Sequence, residues 1–130
     1  MVNALPWIAI VDDDPSVLKA LSWVLRARGF QTRTYTSARD FTVALPDGLP
    51  ECLILDLQMP AMDGIELQHY LARQGIRIPT IVITADNEGR MRKVCESLGA
   101  VAFLLKPFED TALLVAVEEA RNCNRGRAKA

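Results

Sequence analysis

Five polar residues of the sequence have side chains that could together transfer a phosphoryl group. Asp12, Asp13 and Asp56 supply carboxylates, Thr84 supplies a hydroxyl and Lys106 supplies an ammonium group. Each of them stands at the end of a short apolar run. Carboxylates can bind a divalent cation or act as a nucleophile, while a lysine and a hydroxyl can contact phosphoryl oxygens. The residue types therefore indicate phosphoryl transfer to a carboxylate, provided that the fold brings them together.

The elements that must position these residues follow from an alternation of short apolar runs with helical patterns. Asp14 before Pro15 is typical of a helix start, and Ser37 opens a later helix. Five strands alternating with five helices predict one domain with a doubly wound α/β fold and a parallel sheet. The predicted strands occupy residues 7–11, 31–35, 52–55, 80–84 and 101–105.

The composition of the runs predicts their place in the sheet. The first, third, fourth and fifth strands are continuously apolar, which favours burial on both faces. The second strand is polar and threonine-rich, which suits an edge. On the fourth helix, Met91, Val94, Cys95 and Leu98 recur at helical spacing and predict an apolar face.

Parallel strands joined by right-handed crossovers end at the same edge of the sheet, where doubly wound folds bind their ligands. The three aspartates are therefore expected to lie close together and to repel one another. Either one of them keeps a proton or a divalent cation joins them. Oxygen ligands favour Mg²⁺ over zinc.

The composition excludes several other classes of protein. The chain has 130 residues, of which 50% are hydrophobic and 24% charged, and its net charge is −1. These values argue against disorder and against a basic field for nucleic acid. We expect no membrane span and no signal peptide. Cys52, Cys95 and Cys123 are too few and too widely spaced for a disulfide framework, so we expect reduced thiols and a cytoplasmic location.

Several motifs in order resemble the receiver domain of two-component response regulators. They are VDDDPSVLKAL, LILDLQMPAMDG, VITAD and FLLKPF, and the resemblance extends over about residues 6 to 122. It implies a flavodoxin-like sheet of strand order 2-1-3-4-5. The segments SVLKALSWVLRARGF and YTSARDF are similar to the FixJ-like branch of that family.

The resemblance implies a phosphoacceptor and a metal site. Asp56 would receive a phosphoryl group from a phosphohistidine of a sensor histidine kinase. Asp13, Asp56 and the main-chain carbonyl of Gln58 would bind Mg²⁺, or alternatively Mn²⁺, and Asp12 would bind it through water. Thr84 and Lys106 would contact the phosphoryl oxygens.

The resemblance also implies a switch. Thr84 and Phe103 match the switch positions, and the responsive surface would be the face of helix four, strand five and helix five. Gln58 and Asp86 match positions that tune the lifetime of the phosphoryl group. The bond between Lys106 and Pro107 would be cis.

The predicted organisation is a receiver domain at residues 1–122 followed by the start of a linker or disordered tail at 123–130. FixJ-like relatives usually carry a DNA-binding output domain, which this chain lacks. We therefore expect DNA contact only through an output domain outside this chain, a transcription-regulator context, and a homodimer induced by phosphorylation. The sequence leaves open whether the chain is a fragment or stands alone.

The sequence favours a phosphoacceptor switch without enzymatic turnover and leaves two alternative functions open. One is a protein-interaction module that works without phosphorylation, against which the intact acidic set argues. The other is a Mg²⁺-dependent phosphohydrolase with an aspartate nucleophile, for which Asp12 and Asp14 are the candidate pair. Pro15 and the absence of a cap domain argue against the hydrolase.

Overall fold

The computed structural model describes residues 6–59, 61–85 and 90–129, with side chains described for 6–59, 61–85 and 91–123. Its strands are β1 (Trp7–Val11), β2 (Gln31–Tyr35), β3 (Cys52–Asp56), β4 (Thr80–Thr84) and β5 (Ala100–Leu105). Its helices are α1 (Pro15–Ala27), α2 (Ala38–Ala44), α3 (Gly64–Arg73), α4 (Arg90–Ser97) and α5 (Asp110–Lys129), and a 3-10 turn covers Leu45–Asp47.

The strands form one parallel sheet in the order β2-β1-β3-β4-β5. This confirms the predicted fold class and strand order. Because the order reverses beside β1, the loops after β1 and β3 diverge there and leave a crevice at the carboxyl ends of the strands. The candidate residues are placed at this edge.

The side chains of each strand point alternately to the two faces of the sheet, where they pack into two separate buried clusters. On one side, Ile10 packs in a buried cluster with Leu25 of α1 and Val117 of α5. On the other side, Val11 packs in a second cluster with residues of α2 and α3, including Leu67. The sheet is therefore covered by helices on both faces.

The helix starts agree with the sequence signals. Asp14 caps α1 by accepting a hydrogen bond from the Ser16 N–H, and Ser37 caps α2 in the same way from the Asp40 N–H. Gly29 ends the first helical unit at a φ of 88°, a conformation that glycine adopts without strain.

Two packing predictions were wrong. The strand β5 is apolar but only partly buried, because it is the outer strand of the sheet; Leu105 is 43% exposed. The apolar spacing in α4 does not produce a buried face either. Cys95 is buried, but Met91 and Val94 are 36% and 37% exposed.

The end of the chain is helical. The helix α5 continues to Lys129 and so runs through most of the segment predicted to be a linker or disordered tail. The domain boundary near residue 122 and the linker or tail at 123–130 stay predictions. The three cysteines are free thiols, as expected. Among the described helices, none combines the length and apolar character that a membrane span requires.

Candidate functional site

Three carboxylates meet at the carboxyl ends of β1 and β3. Asp12 and Asp13 directly follow β1, and Asp56 is the last residue of β3. One carboxylate oxygen from each lies within 4.8 Å of the others. Asp12 is fully buried and Asp56 is 3% exposed, whereas Asp13 is exposed. The cluster is therefore a largely desolvated acidic site that borders solvent through Asp13.

Lys106, from the loop after β5, is the cation that pairs with this cluster. Its Nζ donates a hydrogen bond to Asp12 Oδ2 at 3.1 Å and lies 3.7 Å from Asp56 Oδ2. The Lys106 backbone N–H donates to the Thr84 carbonyl at 2.8 Å, which ties the loop to the end of β4. The other oxygen of Asp12 accepts from the Asp14 N–H at 2.9 Å. Both oxygens of Asp12 are thus engaged.

The electrostatic environment of Asp56 disfavours its ionised form. Burial raises the pKa of Asp56, and the charges of Asp12 and Asp13 raise it further. A hydrogen bond from the Gln58 N–H at 3.2 Å and the charge of Lys106 act in the opposite direction without cancelling the rise. An ionised Asp56 therefore carries an electrostatic cost in the folded protein, which a further cation would relieve.

The donor set fits a hard divalent cation. Three carboxylates supply oxygen ligands, and their mutual repulsion is relieved by a charge placed between them. Mg²⁺ prefers one or two carboxylates together with water and phosphate oxygens, and it does not need histidine or cysteine ligands. The residues present therefore fit magnesium.

The candidate switch residues lie in and beside a small apolar cluster. Thr84 is the buried last residue of β4. Phe103 of β5 is half-buried and packs against the cluster that holds Val82 and Cys95. The guanidinium carbon of Arg92 on α4 lies 5.7 Å from the centre of the Phe103 ring. The aromatic ring is therefore positioned between the sheet and α4.

The structure describes some of the remaining candidate residues and not others. Gln58 is exposed, and its backbone N–H contacts Asp56, while metal binding by its carbonyl stays a prediction. The Lys106–Pro107 peptide bond is cis, the isomer that the resemblance implies. Asp86 lies outside the described residues.

Two residues near the site were missed by the sequence interpretation. A Cβ atom on Gly64 would lie 2.7 Å from the Asp56 carbonyl oxygen, so the start of α3 packs directly on the candidate phosphoacceptor. Gln68, one turn later, is a buried polar side chain, 2% exposed. Its position beside Leu67 and Leu71 on the buried side of the helix is the signal that could have revealed it.

The five-stranded parallel sheet and the acidic cluster at its edge are those of a receiver domain, and comparison with known proteins agrees. Residues 8–118 match the response regulator receiver domain family. This chain belongs to that family.

Similar proteins point to one branch of the family. The transcriptional regulatory protein FixJ of Rhizobium meliloti is 41% identical over 87% of this chain and 55% of its own length. The transcriptional regulatory protein TdiR of Thauera aromatica is 35% identical over 93% of this chain and 53% of its own length. The chain spans about half the length of the curated relatives it matches.

Solved structures of similar sequence share the fold. The crystal structure of FixJ-N superimposes with a TM-score of 0.84 at 38% identity and covers 92% of this chain and 96% of that one. The response regulator StyR gives a TM-score of 0.89 at 40% identity, covering 97% of this chain and 64% of that one.

Proposed function

We propose that this chain is a phosphorylation-controlled switch that accepts a phosphoryl group on Asp56 from a sensor histidine kinase. The observation that carries the proposal is the grouping of Asp12, Asp13 and Asp56 within 4.8 Å, with Lys106 paired to it, in a chain of the receiver family. The chain acts as a phosphoacceptor rather than as a turnover enzyme, with self-dephosphorylation as its only expected catalysis.

The transfer step assigns a separate task to each residue. A carboxylate oxygen of Asp56 attacks the phosphorus atom, a P–O bond forms, and the bond from phosphorus to the donor imidazole nitrogen breaks with its electron pair going to the nitrogen. Lys106 and the Thr84 hydroxyl contact the phosphoryl oxygens. Asp12 holds Lys106 close to the site through the 3.1 Å contact.

Magnesium, or manganese in its place, would be held by Asp13, Asp56 and the Gln58 carbonyl, with Asp12 acting through water. When bound, it would neutralise the carboxylates and the developing charge on the phosphoryl oxygens. The raised pKa of Asp56 supports this requirement, because the nucleophile must be ionised in an acidic and desolvated cluster.

The output of the switch is the face of α4, β5 and α5. A phosphoryl group adds about 1.5 to 2 negative charges and new acceptor oxygens beside Thr84. Thr84 moves toward the phosphoryl group and Phe103 turns into the space behind it. Large apolar side chains are exposed on the three elements of this face, namely Met91, Val94, Leu105 and Val115. Such a surface suits controlled association with a second copy or an output domain.

The biological context is that of a transcription regulator. The receiver domain occupies residues 1–122, and a homodimer forms on phosphorylation. DNA is contacted only through an output domain outside this chain, and the protein works in the cytoplasm. The names of FixJ and TdiR as transcriptional regulatory proteins support this context.

The direct test is labelling with acetyl phosphate, followed by intact-mass measurement. We expect one added phosphoryl group per chain in the presence of Mg²⁺ and none with EDTA. Asp56→Asn abolishes the labelling, whereas the exposed Asp40→Asn on α2 leaves it unchanged. Stoichiometric labelling of Asp56→Asn would refute the assignment. Steady hydrolysis of a phosphomonoester that survives Asp56→Asn but not Asp12→Asn would identify a hydrolase instead.

Size-exclusion chromatography tests the output. With Mg²⁺ and beryllofluoride, a phosphoryl mimic, we expect a shift from monomer to dimer. An elution volume that ignores beryllofluoride while labelling of Asp56 succeeds would favour the phosphorylation-independent interaction module.

A further inference from the structure

Gln68 makes a buried polar contact between α3 and α4. Its Nε2 donates a hydrogen bond to the Cys95 carbonyl oxygen at 3.2 Å, and the side chain lies within the protein. Its Oε1 has no hydrogen-bond partner within the part of the chain that the structure describes. A buried glutamine with one half of its amide unpaired is costly, so its presence at this position needs a reason beyond filling space.

The carbonyl of Cys95 does not need this hydrogen bond. It already accepts one from the Leu98 N–H at 3.1 Å, at the end of α4. Satisfying the backbone therefore does not account for Gln68. What the contact does is fix the position of α4 relative to α3.

Little else buried holds α4 in place. Among its described side chains, residues 91–97, Cys95 is the buried one. Cys95 packs in a small cluster with Leu57 and Val82, with Phe103 partly buried beside it. A helix with one buried side chain is easily displaced, so a single specific hydrogen bond has a large effect on its position.

The helix that carries Gln68, α3, begins directly beside the proposed phosphoacceptor Asp56. The Gly64 N–H donates to the Leu57 carbonyl at 3.2 Å, and a Cβ on Gly64 would lie 2.7 Å from the Asp56 carbonyl oxygen. The start of α3 therefore follows the backbone of Asp56 and Leu57 closely. Gln68 comes four residues after Gly64, on the same face of α3.

We propose that Gln68 is a positioning residue that couples the Asp56 backbone to α4, through the start of α3 and the hydrogen bond to the Cys95 carbonyl. In the unphosphorylated protein this contact holds α4 in its resting position. This proposal rests on the proposed function, because phosphorylation of Asp56 is the event that displaces the start of α3 and thereby moves α4. The route is separate from the one through Thr84 and Phe103.

Cys95 itself provides the readout. Its thiol is fully buried, and burial raises its pKa to about 11, so it reacts with an alkylating reagent only when α4 moves. Cys52 in β3 is equally buried, with a pKa raised to about 12, and it reports on global unfolding. Both rates are measured in one sample by mass spectrometry of iodoacetamide-treated protein in a Cys123→Ser background.

Gln68→Met is the decisive variant, since it keeps the length of the side chain and removes the amide. Without phosphorylation we expect Cys95 to react about tenfold faster than in the native sequence, the effect of losing one hydrogen bond, and Cys52 to change less than about twofold. Gln74→Met, at the exposed end of the same helix, should leave both rates unchanged.

Phosphorylation supplies the second arm of the experiment. With acetyl phosphate and Mg²⁺, we expect the reaction of Cys95 to accelerate in the native sequence and to accelerate less in Gln68→Met, although both are labelled at Asp56 to the same extent. Unchanged Cys95 reactivity in Gln68→Met would overturn the proposal, as would a native Cys95 rate that does not respond to labelling. Equal acceleration of Cys95 and Cys52, or a variant that does not fold, would show that Gln68 acts only in core packing. Failure of Asp56 to label at all would refute the proposed function, and the unphosphorylated arm would still test the contact.

Discussion

The Lys106 ammonium nitrogen lies 3.1 Å from a carboxylate oxygen of Asp12, whose side chain is almost completely buried. This contact connects the end of β5 with the end of β1, two strands that are separated by β3 and β4 in the sheet. Because Asp12 is desolvated, removal of this partner would leave its side chain buried without an ion-pair contact to Lys106.

Lys106→Met should therefore destabilise the protein by about 2 kcal/mol at pH 7 without divalent cations, because it leaves the acidic cluster without its ammonium partner. Urea unfolding followed by circular dichroism measures the change. In a double-mutant cycle with Asp12→Asn, the two effects should be clearly non-additive. Lys93→Met, on the exposed side of α4, is the control and should be neutral. Additive effects would contradict the pairing.

Asp56→Asn should stabilise the protein at neutral pH. Burial and the two neighbouring aspartates raise the pKa of Asp56 in the folded state. Its contribution to stability is therefore greatest below the ordinary aspartate pKa of about 3.9 and is lost as the pH rises to the raised value. We expect the variant to melt about 4 °C higher at pH 7.5, measured without divalent cations. The gain should shrink as the pH is lowered toward 4, and a gain that is independent of pH would count against this explanation.

Magnesium should raise the melting temperature by binding the folded carboxylate cluster and not the unfolded chain. At about 100 times its dissociation constant, a ligand of this kind adds about 2.7 kcal/mol. Asp13→Asn should lose most of the shift. Asp14→Asn is the matched control, because asparagine also caps a helix and Asp14 lies outside the cluster. Equal shifts in all three proteins would place the ion elsewhere.

Gly64→Ala should disturb both stability and phosphoryl acceptance. The added Cβ would lie 2.7 Å from the Asp56 carbonyl oxygen and 2.9 Å from the Leu57 Cα, and backbone atoms cannot move away cheaply. We expect a loss of about 1–3 kcal/mol and slower labelling of Asp56 by acetyl phosphate. Gly75→Ala has a strained φ of 69° but no clash, so it should lower stability and leave labelling unchanged. Native labelling in Gly64→Ala would show that the close packing is not needed for transfer.

Much of the fold was predictable because it depends on local patterns. Asp14 and Ser37 cap the helices they were expected to start, and the polar run at β2 lies at an edge. The convergence of Asp12, Asp13 and Asp56 was also predictable, since parallel strands end at one side of the sheet.

The remaining features depend on which elements meet in space, and periodicity does not encode that. The apolar composition of β5 predicts a buried strand. Within the described sheet, however, no further strand pairs with its outer side. The spacing of Met91 and Val94 is that of a packed helix, but α4 contacts the sheet chiefly through Cys95. The close approach of Gly64 to Asp56 depends on the path of the loop between β3 and α3, and the contact of Gln68 with α4 joins residues 27 positions apart in the sequence.

The polar character of β2 has a consequence for the behaviour of the protein in concentrated solution. Three of its five residues are exposed, and Arg33 carries a charge over the ring of Trp7 at 4.2 Å. A foreign strand that approached this border would have to desolvate a guanidinium group and threonine hydroxyls, so β-type aggregation is disfavoured there. The β5 border is apolar, with Leu105 exposed at its end, so strand pairing is less strongly disfavoured on that side of the molecule.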